Sequence, residues 1–265
     1  MKADLHIHSN NSDGSDSIGQ IIDTAKGRGL DAIAITDHDT LSHLRRIPND
    51  AGITVIGGVE ISANHIGTGT KAHIIAYKIK KPALLTTLTR MTSLARNRNS
   101  EKQIDILRQQ NYRFDKDRMV RADGKFIYKQ HIMDWLVSTG QVPDMFGDFY
   151  NQTFKNGGVC DFDICYPDAF EAVRLIKRAG GYAVLAHPGQ QQNFWLIPEL
   201  VSEGLDGLEL NHHSNTESDK STIRDYADLY GLFLTGGSDY HGKYEQHSFG
   251  IGGFLSEESG LSAIC

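Results

Sequence analysis

Short apolar runs rich in β-branched residues recur along the chain, and most of them stop abruptly at a polar motif. Leu5-His6-Ile7-His8 is the first, and Ala32-Ile33-Ala34-Ile35-Thr36 runs into Asp37-His38-Asp39. Thr54 to Val59 runs into Glu60, and Ala72-His73-Ile74-Ile75-Ala76-Tyr77 follows. Tyr182 to Ala186 ends at His187-Pro188-Gly189, Gly207 to Leu210 at Asn211-His212-His213, and Phe233 to Ser238 at Asp239-Tyr240-His241. Apolar runs of this length predict buried strands.

Helices are predicted between them. Ser17 caps a helix through Ile18, Ile21, Ile22 and Ala25 that closes near Gly27 and Gly29. Pro167 and Asp168 open a second, with Phe170, Val173, Leu175 and Ile176 on its buried side, and Gly180-Gly181 ends it. A third runs from about Ser218 through Ile223, Tyr226 and Leu229 to Gly231. Alternating strands and helices predict an α/β fold of parallel strands with right-handed crossovers. An open doubly wound sheet gathers ligands at one switch point, whereas here six or seven strand ends carry histidine or carboxylate. Convergence of those ends on the mouth of a β/α barrel fits better.

Residues 80–158 break this rhythm. Leu84, Leu88, Met91 and Ala95 recur at helical spacing, and a second helical patch surrounds Ile132 to Leu136. The stretch reads as a mostly helical insertion over the C-terminal mouth of a barrel made from residues 1–79 and 159–265.

The strand-end motifs carry the chemistry. In His6-x-His8 the period of two puts both imidazoles on one side of a strand, about 7 Å apart at Cα, within reach of one ion. Asp13 follows in a loop rich in glycine and serine. His38 closes the next strand, with Asp37 or Asp39 placed to orient it. Glu60 ends an apolar strand, where a glutamate is unfavourable unless it meets a cation, and its two oxygens suit a bridge between two ions. His73, His187, Asp239 and His241 complete a set of nine candidate ligands. Each alone has a bland explanation, such as a solvated loop or a core histidine, but the nine together do not share one. No thiolate takes part, which disfavours a closed structural zinc site.

Composition adds boundaries. With 265 residues the chain is long enough for one large domain, and 39% hydrophobic with 23% charged residues is ordinary for a globular protein. The formal net charge of -6 argues against a general nucleic-acid binder and leaves room for a local basic pocket. No apolar run is long enough to span a bilayer, and the first residues lack the apolar core of a signal peptide. Cys160, Cys165 and Cys265 form no C-x-x-C pair, which predicts reduced thiols and a cytoplasmic location.

The motifs D-L-H-I-H-S, T-D-H-D-T, G-V-E-I-S, A-H-P-G and G-G-S-D-Y-H resemble those of the polymerase-and-histidinol-phosphatase (PHP) superfamily, over roughly residues 1–77 and 160–265. The resemblance implies a distorted seven-stranded β/α barrel and a metal-dependent phosphoesterase with two or three divalent ions. It would give His6, His8, Glu60 and Asp239 to one ion, and Asp13, His38 and His187 to a second. Glu60, His73 and His241 would hold a third, with Glu60 bridging. Aspartate at position 13, where many members carry histidine, resembles the branch that hydrolyses nucleotide phosphates. That branch binds phosphate through an arginine-rich helix and an R-P-H-like motif. Here the helix offers Arg90, Arg96 and Arg98, and the second motif reads Lys129-Gln130-His131.

Paired divalent ions activate a water near neutral pH and polarise a phosphoryl group. Arg96 and Lys129 are the candidate phosphate clamp, and His131 the group that orients phosphate or protonates the leaving oxygen. Glu60, Asp37 and His131 are the residues expected to act in catalysis. His212 is expected to line the substrate pocket, while His43, His65 and His247 read as surface or loop residues. The expected substrate is a small phosphorylated molecule, a nucleotide or nucleoside bisphosphate, with no membrane contact and no stable nucleic-acid complex. Histidinol phosphatase and a 5′-3′ exonuclease on short oligonucleotides are the alternatives within phosphoester chemistry. A metal-dependent amidohydrolase is the alternative outside it. Mixed imidazole and carboxylate ligands suit manganese, zinc or iron, and the carboxylate content favours manganese.

Overall fold

A computed structural model describes every residue except Gln246. Eight strands and nine helices are found among the described residues. The strands form two sheets. The first is parallel, in the order β1 (Ala3–Ile7), β2 (Ala32–Ile35), β3 (Thr54–Gly57). The second runs β4 (Val59–Asn64), β5 (Lys71–Tyr77), β6 (Tyr182–Leu185), β7 (Gly207–Asn211), β8 (Phe233–Gly236).

A distorted seven-stranded β/α barrel of parallel strands was the expectation, and the direction of two strand pairs differs from it. β4 and β5 are antiparallel because only the short loop between Asn64 and Lys71 joins them, too few residues for a crossover helix. β5 and β6 are also antiparallel, while β6, β7 and β8 run parallel. Isolated bridges, Ile7 with Tyr240 and His38 with Glu60, stitch the two sheets at their seams. Between the sheets Leu5 and Ala34 face Ile75, Tyr77 and Val184, and the Tyr77 hydroxyl donates to the Leu5 carbonyl at 2.7 Å. Burying each of the larger side chains stabilises the fold by about 1.5–3 kcal/mol.

Outer helices cover both sheets. In α1 (Ile18–Gly27), Ser17 and Gln20 form a capping box, and Ile18, Ile21, Ile22 and Ala25 pack on the first sheet. Asp168 caps α5 (Ala169–Arg178) by accepting the N–H groups of Phe170 and Glu171. Val173 and Ile176 are buried as expected, while Phe170 and Leu175 sit at the core's edge.

The insertion contains α2 (Ala83–Gln109), α3 (Lys129–Ser138) and α4 (Asp148–Phe154), packed around a core of their own that includes Ile104, Leu107, Ile132, Leu136 and Phe154. The helix marked by Leu84, Leu88, Met91 and Ala95 forms, yet Leu84 and Met91 face solvent. Its buried positions include Thr89, Thr92 and Ser93. This inward stripe is polar because it abuts the strand end at Asp39, whose carbonyl accepts from the Ser93 hydroxyl at 2.6 Å. Two short helices, α6 (Pro188–Gln191) and α7 (Ile197–Ser202), follow β6, and α8 (Glu217–Tyr230) and α9 (Glu258–Ile264) complete the chain. No helix is long and apolar enough to cross a membrane.

Candidate metal centre

The nine candidate ligands converge at one edge of the strands, with Glu60 at their centre. Glu60 Oε2 lies 3.1 Å from His6 Nε2, 3.2 Å from His8 Nε2 and 3.3 Å from His38 Nδ1. Its Oε1 lies 2.8 Å from His73 Nδ1 and 3.0 Å from His187 Nε2. Asp239 Oδ1 is 3.0 Å from His8 Nε2 and 3.4 Å from His6 Nε2. Asp13 Oδ1 is 3.5 Å from His241 Nε2 and 3.8 Å from His8 Nδ1.

Local backbone geometry makes this convergence possible. The pairing of β1 with β2 shifts register between Asp4 and Ile7, a local irregularity of the kind that re-aims side chains beside active sites. Gly237 lies so close to β1 that a Cβ there would collide with the Cβ of His6, so the Gly236-Gly237 pair lets β8 deliver Asp239. Asp39, His187 and Asp239 adopt positive φ of 51°, 28° and 53° just past strand ends, each at about 1–3 kcal/mol of strain.

Ligand atoms gather in groups lying within 4.8 Å of one another. His6, His8, Glu60 and Asp239 form the first, as the resemblance implied. The remaining grouping differs in two residues. Asp13 and His38 meet His241 and His8, where His187 was expected. His38, Glu60 and His73 form another group, and His187 abuts that same Glu60. His187 and His241 thus exchange places, because α6 turns the His187 ring toward Glu60 while the Ser15 N–H to His241 carbonyl bond ties the loop of Asp13 to His241.

The donor set fits divalent cations. Both ring nitrogens of His8, Asp13 Oδ1 and Asp239 Oδ1 are buried with no hydrogen-bond partner among the described residues. A buried polar atom left that way costs about 1–3 kcal/mol. Burial pushes the Glu60 carboxyl up, yet His38, His6 and His73 hold it well below the usual range. Burial pulls the His8 ring down, but the Asp239 and Glu60 carboxylates, 3.0 and 3.2 Å from Nε2, outweigh it and push the ring up to about 10. Burial, by contrast, wins at His38, which falls to about 3.

The His8 ring, raised by the carboxylates beside it, is expected to give up a proton when it ligates a cation. Divalent metal binding is expected to release protons and to strengthen from pH 7 to 9. Calorimetric titration of stripped protein in buffers of different ionisation enthalpy measures the release. A buffer-independent heat would refute it.

The residues around the cluster play parts the sequence did not show. Asp37 faces away from the ligands. Its oxygens accept the Ser9 N–H at 2.7 Å and the Ser9 and Ser12 hydroxyls at 2.8 Å each, bracing the loop that carries Asp13. His43, expected in a surface loop, is fully buried with Nδ1 at 3.1 Å from Asp37 Oδ2. The orienting contact to His38 comes from the Ser62 hydroxyl, 3.3 Å from Nδ1. Asp39 instead accepts the Arg96 guanidinium at 2.8 Å.

His131 is buried inside the insertion, its Nδ1 accepting the Tyr128 N–H at 3.1 Å, and does not line the cavity next to the cluster. His212 is buried too, away from that cavity. Its Nδ1 accepts the Ser214 N–H, which leaves the ring proton on Nε2, 3.5 Å from Asp239 Oδ2. Glu209, given no role from sequence, is fully buried against His6, and Gln130 donates to Asp13 Oδ2 at 3.0 Å. Glu209 carried the same signal as Glu60, a lone carboxylate in an apolar strand.

A cavity of about 570 Å³ opens beside the cluster. Asp13, His38 and His73 line one part of it, and Arg96, Lys71, Lys129 and Lys155 line others. The Arg96 Nη2 donates to Asp39 and to Ser62 Oγ at 2.8 Å each, and its Nε is buried without a partner among the described residues. Burial, with Lys155 and Lys71 nearby, holds the Lys129 ammonium below its ordinary range, although Asp163 opposes this.

The chain is similar to several known phosphoesterases. A phosphoribosyl 1,2-cyclic phosphate 1,2-diphosphodiesterase of Eggerthella lenta is 41% identical, covering 92% of this chain and 95% of its own length. A 3′,5′-nucleoside bisphosphate phosphatase of Chromobacterium violaceum is 32% identical over 90% of this chain and 86% of its own. A solved structure from Bifidobacterium adolescentis, assigned as a metal-dependent phosphoesterase, superposes with a TM-score of 0.88 at 26% identity. It covers 99% of this chain and 94% of its own. The PHP domain profile matches residues 4–182, which takes in His6 through Tyr182 and so most of the ligand-bearing strands. With the profile covering most of the chain and the relatives covering nine-tenths or more of it, the chain belongs to the PHP domain family and is a metal-dependent phosphoesterase.

Proposed function

We propose that this protein hydrolyses a phosphoester of a small ribose phosphate that carries a second phosphate, with a metal centre held by His6, His8, Asp13, His38, Glu60, His73, His187, Asp239 and His241. One observation carries the reading: a single cavity joins the histidine–carboxylate cluster to Arg96 and to the lysines Lys71, Lys129 and Lys155. A phosphoryl group at the cluster and a second anion among the lysines fit a doubly phosphorylated substrate better than a simple monoester. Both curated relatives described above are named for ribose compounds, and the bisphosphate phosphatase is named for one with two phosphates. The same reading takes the two sheets, joined at their seams by isolated bridges, as halves of a distorted seven-stranded β/α barrel. It also takes residues 80–158 as the substrate-covering unit, manganese as the favoured ion, and the cytoplasm as the site of action.

When bound, divalent ions supply a nucleophilic oxygen at neutral pH and a Lewis acid for the phosphoryl group. The chain's own residues do the rest. Glu60 presents one oxygen to each half of the cluster and keeps the ligands within bridging reach. Arg96 is oriented in advance by Asp39 and Ser62, so it meets developing charge on the phosphoryl oxygens without reorganising. Lys129 and Lys155 hold the distal anion.

Hydrolysis, followed as inorganic phosphate from adenosine 3′,5′-bisphosphate, adenosine monophosphate and histidinol phosphate, and as ring-opened phosphomonoester or released nucleotide from a phosphoribosyl cyclic phosphate and short RNA, tests the substrate class. The doubly phosphorylated ribose compounds are expected to give the highest kcat/KM. Lys129→Ala should raise KM for those compounds and leave the monophosphate unchanged. Arg96→Lys should remove about 2–4 kcal/mol of transition-state stabilisation on every substrate. Lysine is the informative replacement, because Arg96→Ala would strand the buried Asp39 carboxylate and cost about 3–5 kcal/mol of stability. Equal kcat/KM for mono- and bisphosphates would remove the distal site.

A further inference from the structure

β7 supplies none of the nine ligands, yet its one carboxylate touches two of them. Glu209 is fully buried. Its Oε1 lies 3.0 Å from His6 Nδ1, and its Oε2 accepts the backbone N–H of His187 at 2.8 Å. An ionised carboxylate only accepts hydrogen bonds, so the His6 ring carries its proton on Nδ1. With a cation bound, its Nε2 would then be the nitrogen left to donate a lone pair, beside Glu60 Oε2 and Asp239 Oδ1. The second oxygen fastens His187 at the residue whose φ of 28° is strained. The Asn215 amide in turn donates to the carbonyls of Glu209 and Leu210 at 3.0 Å each, which fixes the end of β7.

We propose that Glu209 is a positioning residue of the metal centre: it holds His6 in the tautomer that offers Nε2 and pins His187 in its left-handed turn. A strand without a ligand thereby orients ligands on β1 and after β6. This rests on the metal-centre reading above and adds to it an assignment for one residue.

Glu209→Gln separates the orienting role from simple packing, because it is nearly isosteric. A backbone N–H can only donate, so the amide oxygen must serve His187. The amide NH2 then faces His6 Nδ1 and demands an acceptor there. That moves the ring proton to Nε2, the nitrogen needed for the ion. Metal affinity should fall about 10- to 100-fold in competition with a chelator, as losing an orienting partner typically does. At saturating metal most of kcat should return. In zinc-loaded, 15N-labelled protein the hydrogen-bonded Nδ1–H of His6 should be present in the wild type and lost in the glutamine variant. Glu209→Asp keeps an acceptor and should fall between the two, and it replaces the glutamine variant if that one does not fold. A merely structural residue would lower the melting temperature of the stripped protein and leave chelator competition unchanged. Wild-type metal affinity in Glu209→Gln with the His6 Nδ1–H retained would overturn the proposal. A wild type that binds no divalent ion would instead overturn the metal-centre reading itself.

Discussion

Glu60→Gln is expected to lose at least one bound ion and nearly all turnover. Glu60 is fully buried, and its two oxygens lie within 3.3 Å of nitrogens on His6, His8, His38, His73 and His187. No other carboxylate in the cluster touches as many ligands. An amide keeps the shape, removes the negative charge, and presents an NH2 to one half of the cluster. That half would then face a donor where a cation belongs. The fall in kcat should exceed the roughly 10- to 100-fold cost of losing a partner outside the ligand set, reaching on the order of 1000-fold. Elemental analysis and steady-state rates on the same sample settle the matter. Unchanged stoichiometry with unchanged rate would show that Glu60 bridges nothing.

Removing divalent ions with a chelator should abolish phosphate release, and adding manganese, zinc or iron should restore it. The physical reason is the arrangement of donors. Both His8 nitrogens, Asp13 Oδ1 and Asp239 Oδ1 are buried without hydrogen-bond partners among the described residues, and His8 and Asp239 share a ligand group with Glu60. Without cations the same cluster is held together by protons on imidazoles beside carboxylates, which provides neither a nucleophile nor a Lewis acid. The order in which the three metals restore rate tests the preference for manganese. Full activity in protein verified as free of metal would contradict the assignment.

The stripped protein should stay folded under these conditions. Its apolar cores lie between and outside the sheets and are built from aliphatic and aromatic side chains, not from the candidate ligands. Chelation therefore separates activity from stability in a way that a core substitution would not. A melting curve on the same stripped sample distinguishes the two.

Eight of the nine candidate ligand positions stood out in the sequence because each closes or interrupts an apolar run, where a polar side chain has no inexpensive burial without a partner; Asp13 stood out only by following His6-x-His8 in a polar loop. His6 and His8 declared themselves through the period of two, and Glu60 through its lone charge in an apolar strand. The helices at 18–27 and 169–178 were legible through Ser17, Asp168 and the glycines that follow. Which ligands share an ion was not legible. His187 and His241 exchanged partners because ring direction depends on α6 and on the tie between Ser15 and His241, contacts between distant parts of the chain. The hairpin of β4 and β5 was missed because apolar runs state that strands exist, and only pairing states their direction. Asp37 and Asp39 sit beside His38 in sequence, yet the fold turns one to the Ser9–Ser12 loop and the other to Arg96 on α2. Lys71 and Lys155 are surface-like residues in isolation. They became a candidate anion site with Lys129 only because the fold brings β5 and the segment at 80–158 to one cavity. The sequence determined which residues cannot be buried alone; the tertiary structure decided with whom they are buried, since hydrogen bonds and ligand geometry act over a few ångströms and join residues far apart in the chain.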